Sequence, residues 1–277
     1  MTPDGGRMPA GLYDAAVRSL AALGATVWLL GLGPAGAAAQ DINPDRPDIT
    51  TSAELVPAGA LQLETGIEYQ RARAGGQPTG QLLSTQAVLR AGVLPVLELS
   101  IEGEPFDWQR TDREASGGGD YTLGVKYRLF TPAEGSAAPL VSVKPFVKLP
   151  TASAPIGSER PYVGALLLVT FFLPKGLSLD TNWGAAALGQ RHPDGFIPQG
   201  IASASLTTPV TDRLSAITEL FFNTREERDS RASLRTTLAV MYKVTPRLAL
   251  DGGVRTTLVG PGPDWSVFVG LSARFGR

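Results

Sequence analysis

The stretch that decides the fold is the C-terminal "WSVFVGLSARFGR" at residues 265–277. From Val267 to Phe275 every second residue is apolar, and the residues between them include Ser272 and Arg274. Successive side chains of a β-strand point to opposite faces. The alternation therefore predicts a strand with one apolar and one polar face.

The same period-two pattern recurs along the chain and predicts about 12 strands. They lie near residues 60–69, 81–92, 96–104, 121–129, 140–149, 162–173, 177–188, 200–209, 214–223, 231–243, 248–259 and 266–275. On most of them the charged residues occupy the face opposite the apolar one. Two-faced strands of this kind occur both in soluble β-sandwiches and in membrane barrels, so alternation alone does not decide between them.

Loop lengths favour the membrane barrel. Short connections, such as 93–95 and 211–213, alternate with longer polar ones, such as 71–80 and 106–119, and the longish connection at 131–139 is the exception. Barrels of the outer membrane have short turns at one end and long loops at the other. In lipid every backbone group must be paired, so the last strand has to close against the first. The sequence predicts an all-β fold, an antiparallel transmembrane β-barrel of about 12 strands.

Composition excludes several other classes. The 277 residues carry a formal net charge of -1, no cysteine and 18% charged residues, below the roughly 25% of an ordinary soluble domain. A nucleic-acid partner and a disulfide scaffold are therefore not expected. Nothing in the sequence indicates a cofactor.

The N-terminus predicts a secretory signal peptide at residues 1–39. Basic Arg7 and Arg18 precede an apolar run at residues 20–33, and a small-residue stretch with a cleavage point after Ala39 follows. A buried N-terminal helix is the alternative. With the barrel, the signal peptide predicts a bacterial outer-membrane location.

Residues 40–58 form a polar, proline-rich segment that precedes the barrel at 59–277. Two arrangements are open for it. The segment either extends into the periplasm or folds into the lumen as a plug, with Arg46 and Asp48 paired to charges of the wall. In a narrow barrel such a plug would control conduction.

Four stretches resemble one known family. They are "DRPDITTSAELVPAGALQLETGIEY" (45–69), "VKPFVKLPTA" (143–152), "LTTPVTDRLSAITEL" (206–220) and "LDGGVRTTLVGPGPDWSVFVGLSARF" (250–275). The chain is similar there to the outer-membrane transporter family named for the meta-pathway of phenol degradation. The resemblance implies a barrel that passes small, often aromatic or hydrophobic, molecules. The last strand also resembles the signal read by the barrel assembly machinery, with Phe275 as its aromatic residue.

Charged residues on the polar faces are the candidate lumen lining. Glu98 and Glu102 share a face and either bind a cation or pair with basic side chains across the lumen. A basic set either forms an anion-attracting wall or balances the acidic strands. That set consists of Lys126, Arg128, Lys144 and Lys148. Together with the family resemblance, the position of Phe146 between two of these lysines predicts a small aromatic acid as cargo, with its carboxylate at Lys144 or Lys148 and its ring on Phe146.

Passive uptake of small molecules is the favoured function. A structural or surface barrel without transport is one alternative. The other is a membrane-embedded hydrolase that would use His192 with Ser203 or Ser205, against the simpler interpretation of His192 as a loop residue. We expect no catalytic residue and no metal site, and we expect outer-membrane lipid, the assembly machinery and a small solute as partners. Interfacial girdles are predicted from Trp183 and the tyrosines at 69, 121, 127, 162 and 242.

Overall fold

The computed structural model describes residues 41–74, 77–191 and 193–276. The signal-peptide prediction and His192 lie outside these residues. The described strands are β1 (Ala60–Ala74), β2 (Gln77–Leu94), β3 (Leu97–Arg110), β4 (Glu114–Gly117), β5 (Tyr121–Phe130), β6 (Leu140–Leu149), β7 (Tyr162–Phe172), β8 (Ser178–Gln190), β9 (Gly195–Pro209), β10 (Leu214–Asn223), β11 (Ser233–Thr245), β12 (Leu248–Val259) and β13 (Trp265–Gly276). Pro174–Gly176 forms one 3₁₀ turn. None of the described helical residues forms a segment with the length and hydropathy of a membrane-crossing helix.

The strands form one closed antiparallel sheet. Apart from the short β4, which pairs only with β3, each strand pairs with its neighbours in chain order. The last strand, β13, pairs with β12 on one edge and with β1 on the other, from Ala60 opposite Gly276 to Tyr69 opposite Val267. Twelve strands thus close the barrel, and no edge of it is left unpaired. The predicted fold class is confirmed.

The two faces of the wall differ in chemistry as the alternation predicted. Outward-facing side chains are large and apolar, and Val269 on β13 is 63% exposed. Leu61, Leu99, Trp183 and Leu238 are further examples. Inward-facing side chains are polar and buried, and Glu64 on β1 is only 1% exposed. An apolar outer surface on a closed sheet is the arrangement that lipid requires.

Two predicted loops are largely strand. Most of the expected loop at 71–80 belongs to β1 and β2, and the expected loop at 106–119 contains the end of β3 and the whole of β4. Strand β9 likewise begins at Gly195 rather than near residue 200. Beyond the membrane both faces of a strand can meet water, so the apolar alternation disappears although backbone pairing continues.

Candidate functional site

Arg90 on β2 binds acidic side chains of both neighbouring strands. Its side chain is almost completely buried. Its Nε and Nη2 donate to the two carboxylate oxygens of Glu98 on β3 at 2.9 and 3.0 Å, and its Nη1 donates to Glu64 on β1 at 3.0 Å. Charge-assisted bonds of this forked geometry are strong and directional. They join three neighbouring strands from the inside.

The ion pairs continue around the wall onto β5 and β6. Lys126 Nζ lies 3.1 Å from Asp45 Oδ2 and 3.7 Å from Glu98 Oε1. Lys144 Nζ lies 2.5 Å from Glu102 Oε1. The structure therefore pairs four of the predicted lumen-lining residues on neighbouring strands, Lys126 with Glu98 and Lys144 with Glu102. Glu102 accepts from one of the three N–H donors of the Lys144 ammonium, so a solute carboxylate at Lys144 would compete with this ion pair.

Lys148 lies nearer the long-loop end of β6. Its Nζ is 3.4 Å from Asp120 Oδ2 and 4.9 Å from the centre of the Tyr162 ring. Burial works to raise the pKa of the Asp120 carboxyl, which lies outside the spanning strands. Hydrogen bonds from Ser158 and Ala152, with Lys148 nearby, outweigh this effect and leave that pKa below its usual range. Asp120 thus holds both Lys148 and the loop at 150–161.

The inner wall becomes apolar on β6–β9. The buried side chains of Ala186, Leu188 and Ile197 form a cluster here, and the partly buried Phe146, Tyr162 and Ile201 pack against it. We call these six residues the apolar cluster. Phe146 thus faces the lumen within an apolar surface. Tyr162 belongs to this surface, so its predicted place in an outer girdle is wrong.

Arg128 is the inward-facing cation near the opposite end of β5. Its Nε donates to Ser142 Oγ at 3.2 Å and its Nη1 donates to Thr131 Oγ1 at 3.4 Å. Both partners are neutral hydroxyl groups. Among the described side chains, no carboxylate oxygen lies within ion-pair distance of its guanidinium.

Residues 41–59 lie inside the barrel and donate backbone amides to its wall. Glu219 on β10 accepts from the amides of Ile49 and Thr50 at 2.8 and 2.6 Å. The other backbone donors to the wall include Thr51 to Asn182, Ala53 to Thr170 and Val56 to Glu98. A buried backbone N–H needs a partner, and here inward-facing side chains supply it. Ile42 and Ala53 add apolar contacts with inward-facing residues.

Arg46 makes the closest charged contact between this segment and the wall. Its Nη2 lies 2.9 Å from Asp251 Oδ1 on β12, and its Nη1 donates to Gln86 Oε1 at 2.5 Å. Gly66 and Gly270 are opposite each other on β1 and β13, and a Cβ atom on either would overlap the guanidinium. The two glycines therefore create the space that Arg46 occupies.

Two cavities flank the segment at the end of the barrel that carries the short turns. The larger, about 920 Å³, lies beside residues 54–58 and the loop at 131–137. The smaller, about 700 Å³, lies beside Asp41–Arg46 and the turn at 209–212. Volumes of about 300–1,000 Å³ are usual for small-molecule sites.

Several wall residues that hold the segment are not among the predicted site residues. They are Glu64, Arg90, Asn182, Glu219 and Asp251. Four of the five are charged residues on the polar face of an alternating strand. Their position on that face is the feature of the sequence that indicates a place in the lumen. Arg255 belongs with them, because its Nη1 lies 3.0 Å from Glu68 Oε1 and its Nη2 donates to Pro47 O.

Of the candidate hydrolase residues, the described part of the chain includes only the two serines. Ser203 and Ser205 face the lumen rather than lipid, and the Ser205 hydroxyl donates to Asp48, the second plug candidate. Within the ranges that the structure covers, no group of three or more acidic, histidine or cysteine side chains is arranged to hold a metal ion.

Solved structures of outer-membrane proteins share this fold. A COG4313 outer-membrane channel from Pseudomonas putida F1 is 16% identical, with a TM-score of 0.65 over 85% of this chain and 100% of that one. A NanC porin is 10% identical, with a TM-score of 0.51 over 77% of this chain and 98% of that one. At these identities the likeness concerns the fold. No protein of curated function matches the chain.

Sequence comparison assigns the family independently of fold. A family model described as "Putative MetA-pathway of phenol degradation" matches residues 44–275. The match begins in the segment inside the lumen and includes all thirteen described strands except the final residue of β13. The chain therefore belongs to this MetA-pathway of phenol degradation family.

Proposed function

We propose that this protein is a bacterial outer-membrane channel for the passive uptake of small molecules, in particular aromatic or otherwise hydrophobic ones. The observation that carries the proposal is the divided inner wall. Ion pairs line β1–β6, whereas the apolar cluster lines β6–β9. A solute with an apolar ring and polar substituents can contact both surfaces in one lumen. The similar Pseudomonas putida protein is an outer-membrane channel, which supports the same class of function.

The proposal includes export of the chain and its insertion into the outer membrane. Residues 1–39 are removed as a signal peptide, and the apolar outer face of residues 59–277 contacts outer-membrane lipid. The assembly machinery recognises the final strand through Phe275, which faces outward opposite Leu61 of β1. The protein is not an enzyme, and its solute leaves chemically unchanged.

Residues 40–58 restrict the passage. The contacts of Arg46, Ile49, Thr50 and Val56 with the wall support a plug that crosses the lumen. Solutes then pass beside the segment or displace part of it, and in both cases the channel conducts less than an open barrel of 12 strands. Selectivity therefore depends on side chains rather than on pore width alone.

A matched pair of neutral solutes tests the proposal. Phenyl β-glucoside and methyl β-glucoside share the sugar and differ in the aromatic ring, and both cross lipid slowly. We expect proteoliposomes to admit the phenyl compound faster although it is larger, with protein-free liposomes as the control. Entry of neither compound above the control, or faster entry of the methyl compound, would contradict the proposed function. Recovery of the phenyl compound as free phenol would instead indicate a hydrolase.

A further inference from the structure

The candidate binding site is the larger cavity, at the end of the barrel with the short turns. The final part of the segment, Leu55–Ala58, forms one side of it, and the loop at 131–137 forms another. The segment is fixed here, because Val56 N donates to Glu98 Oε2 at 2.7 Å and Gly59 N donates to Gly92 O at 2.8 Å. At about 920 Å³ the cavity is large enough for a small organic molecule.

Its lining is mainly apolar, with one guanidinium group. The apolar lining includes Leu55, Val56, Pro57, Leu140, Phe172 and Leu173. Arg128 lines the same cavity. Its two hydrogen-bond partners are hydroxyl groups, at Nε and Nη1, so N–H donors of the guanidinium fork remain. An apolar body and an acceptor for these donors would together complement the cavity.

Arg128 differs from the other inward-facing cations described above. Arg90, Lys126, Lys144 and Lys148 each lie within ion-pair distance of a wall or loop carboxylate. Arg128 has no such partner in the described ranges. A guanidinium presents paired donors that match the two oxygens of a carboxylate.

Two acidic groups lie near the cavity. Glu54 lines it and attracts Arg128 electrostatically, but the two charged groups lie beyond ion-pair distance, and the Glu54 carboxylate accepts a hydrogen bond from Asn43 Nδ2. Glu134 is in the exposed part of the loop. Both carboxylates would favour a ligand with a single negative charge over one with two.

We propose that this cavity binds a small monocarboxylate with an apolar body, such as an aryl or short alkyl carboxylate, through Arg128. Its carboxylate accepts from the free N–H groups of Arg128, and its apolar body contacts Val56, Leu140 and Phe172. Only a role for this cavity in solute transport would rest on the proposed function. Binding itself does not.

Equilibrium titration of the folded full-length protein in detergent tests the proposal, with benzoate, hexanoate and benzyl alcohol as probes. We expect both carboxylates to bind more tightly than the alcohol. Arg128→Gln should weaken benzoate binding about tenfold or more and leave benzyl alcohol unchanged, because it removes the charge and the guanidinium fork while it keeps a polar side chain. Arg213→Gln is the matched control, since Arg213 lies in an exposed turn at the same end of the barrel and does not line the cavity.

The outcomes separate this proposal from the channel function. Equal benzoate affinity in the wild type and Arg128→Gln, or an equal loss in Arg213→Gln, would overturn it. Arg128→Lys keeps the charge without the fork and should bind benzoate with intermediate affinity, which gives a second test if the glutamine variant does not fold. Loss of glucoside entry with Arg128-dependent benzoate binding would reject only the proposed function. Glucoside entry without benzoate binding would reject the binding site and leave the proposed function standing.

Discussion

Replacing Arg46 by methionine removes the guanidinium that joins the lumenal segment to β12. The side chains of Arg46 and Asp251 are 9% and 3% exposed, and the atoms Nη2 and Oδ1 are 2.9 Å apart. Methionine keeps much of the apolar stem and leaves the Asp251 carboxylate buried without its main partner. We therefore expect the segment to be held less tightly while the barrel stays closed.

The magnitude follows from the burial of the pair. Removing one partner of a buried ion pair costs about 3–5 kcal/mol, mainly because the other charge stays desolvated. At about 1.4 kcal/mol for each factor of ten, docking of the segment should weaken roughly 100- to 5,000-fold. Replacing both partners by apolar residues is far less costly. The double variant Arg46→Met with Asp251→Leu should therefore recover most of the loss.

Amide hydrogen exchange measures this effect directly. The amides of Ile49, Thr50, Thr51 and Val56 donate to wall side chains and should exchange slowly in the wild type. In Arg46→Met we expect them to exchange faster, up to the factor above, while strand amides are unchanged.

Arg235→Met is the control. It breaks an ion pair with Glu226, which lies in a loop and contacts Arg235 and Asn223 of the wall. Equal exchange of the segment amides in the wild type and in Arg46→Met would refute the reasoning, as would an equal acceleration in the Arg235 variant.

Three further predictions concern the wall, assembly and pH. Leu220→Arg on the outer face should destabilise the barrel by about 2–4 kcal/mol in unfolding titrations carried out in lipid, whereas Phe221→Arg on the inner face should destabilise it much less. Equal losses of stability would contradict the assigned faces. Phe275→Ala should lower the amount of folded protein in outer-membrane fractions, and unchanged amounts would argue against its role in assembly. The lowered pKa of Asp120 stabilises the loop above about pH 4, so protease protection of residues 150–161 should persist at pH 5 and fall as the pH drops below about 4.

Alternation and loop lengths together predict the closed barrel, and alternation predicts the direction of most side chains. Glu64, Arg90 and Glu219 all project from the face that parity assigned to the lumen. Parity does not give the partners of these residues. Arg90 meets Glu98 because of the register between β2 and β3, and Arg46 meets Asp251 across 205 positions because of the path of the segment. Both depend on the assembled barrel.

Only part of the apolar cluster is predictable from the sequence. Phe146 follows from alternation, because it shares a face with Lys144 and Lys148 on β6. Tyr162 begins strand β7, "YVGALLLVTFF", which is apolar on both faces, so its alternation does not distinguish lipid from lumen. The other members lie on β8 and β9, and their packing with Phe146 depends on the assembled barrel.

The ratio of phenyl to methyl β-glucoside entry, compared between lumen and lipid-face variants, tests the account most directly. Phe146→Ser with Ile201→Ser makes the lumen surface more polar, whereas Leu167→Ser alters an exposed outward position on β7. The account predicts a ratio above one in the wild type and in Leu167→Ser, and a ratio below one in the double variant, where size alone decides. An unchanged ratio in the double variant would contradict a lumen that selects solutes through its apolar cluster.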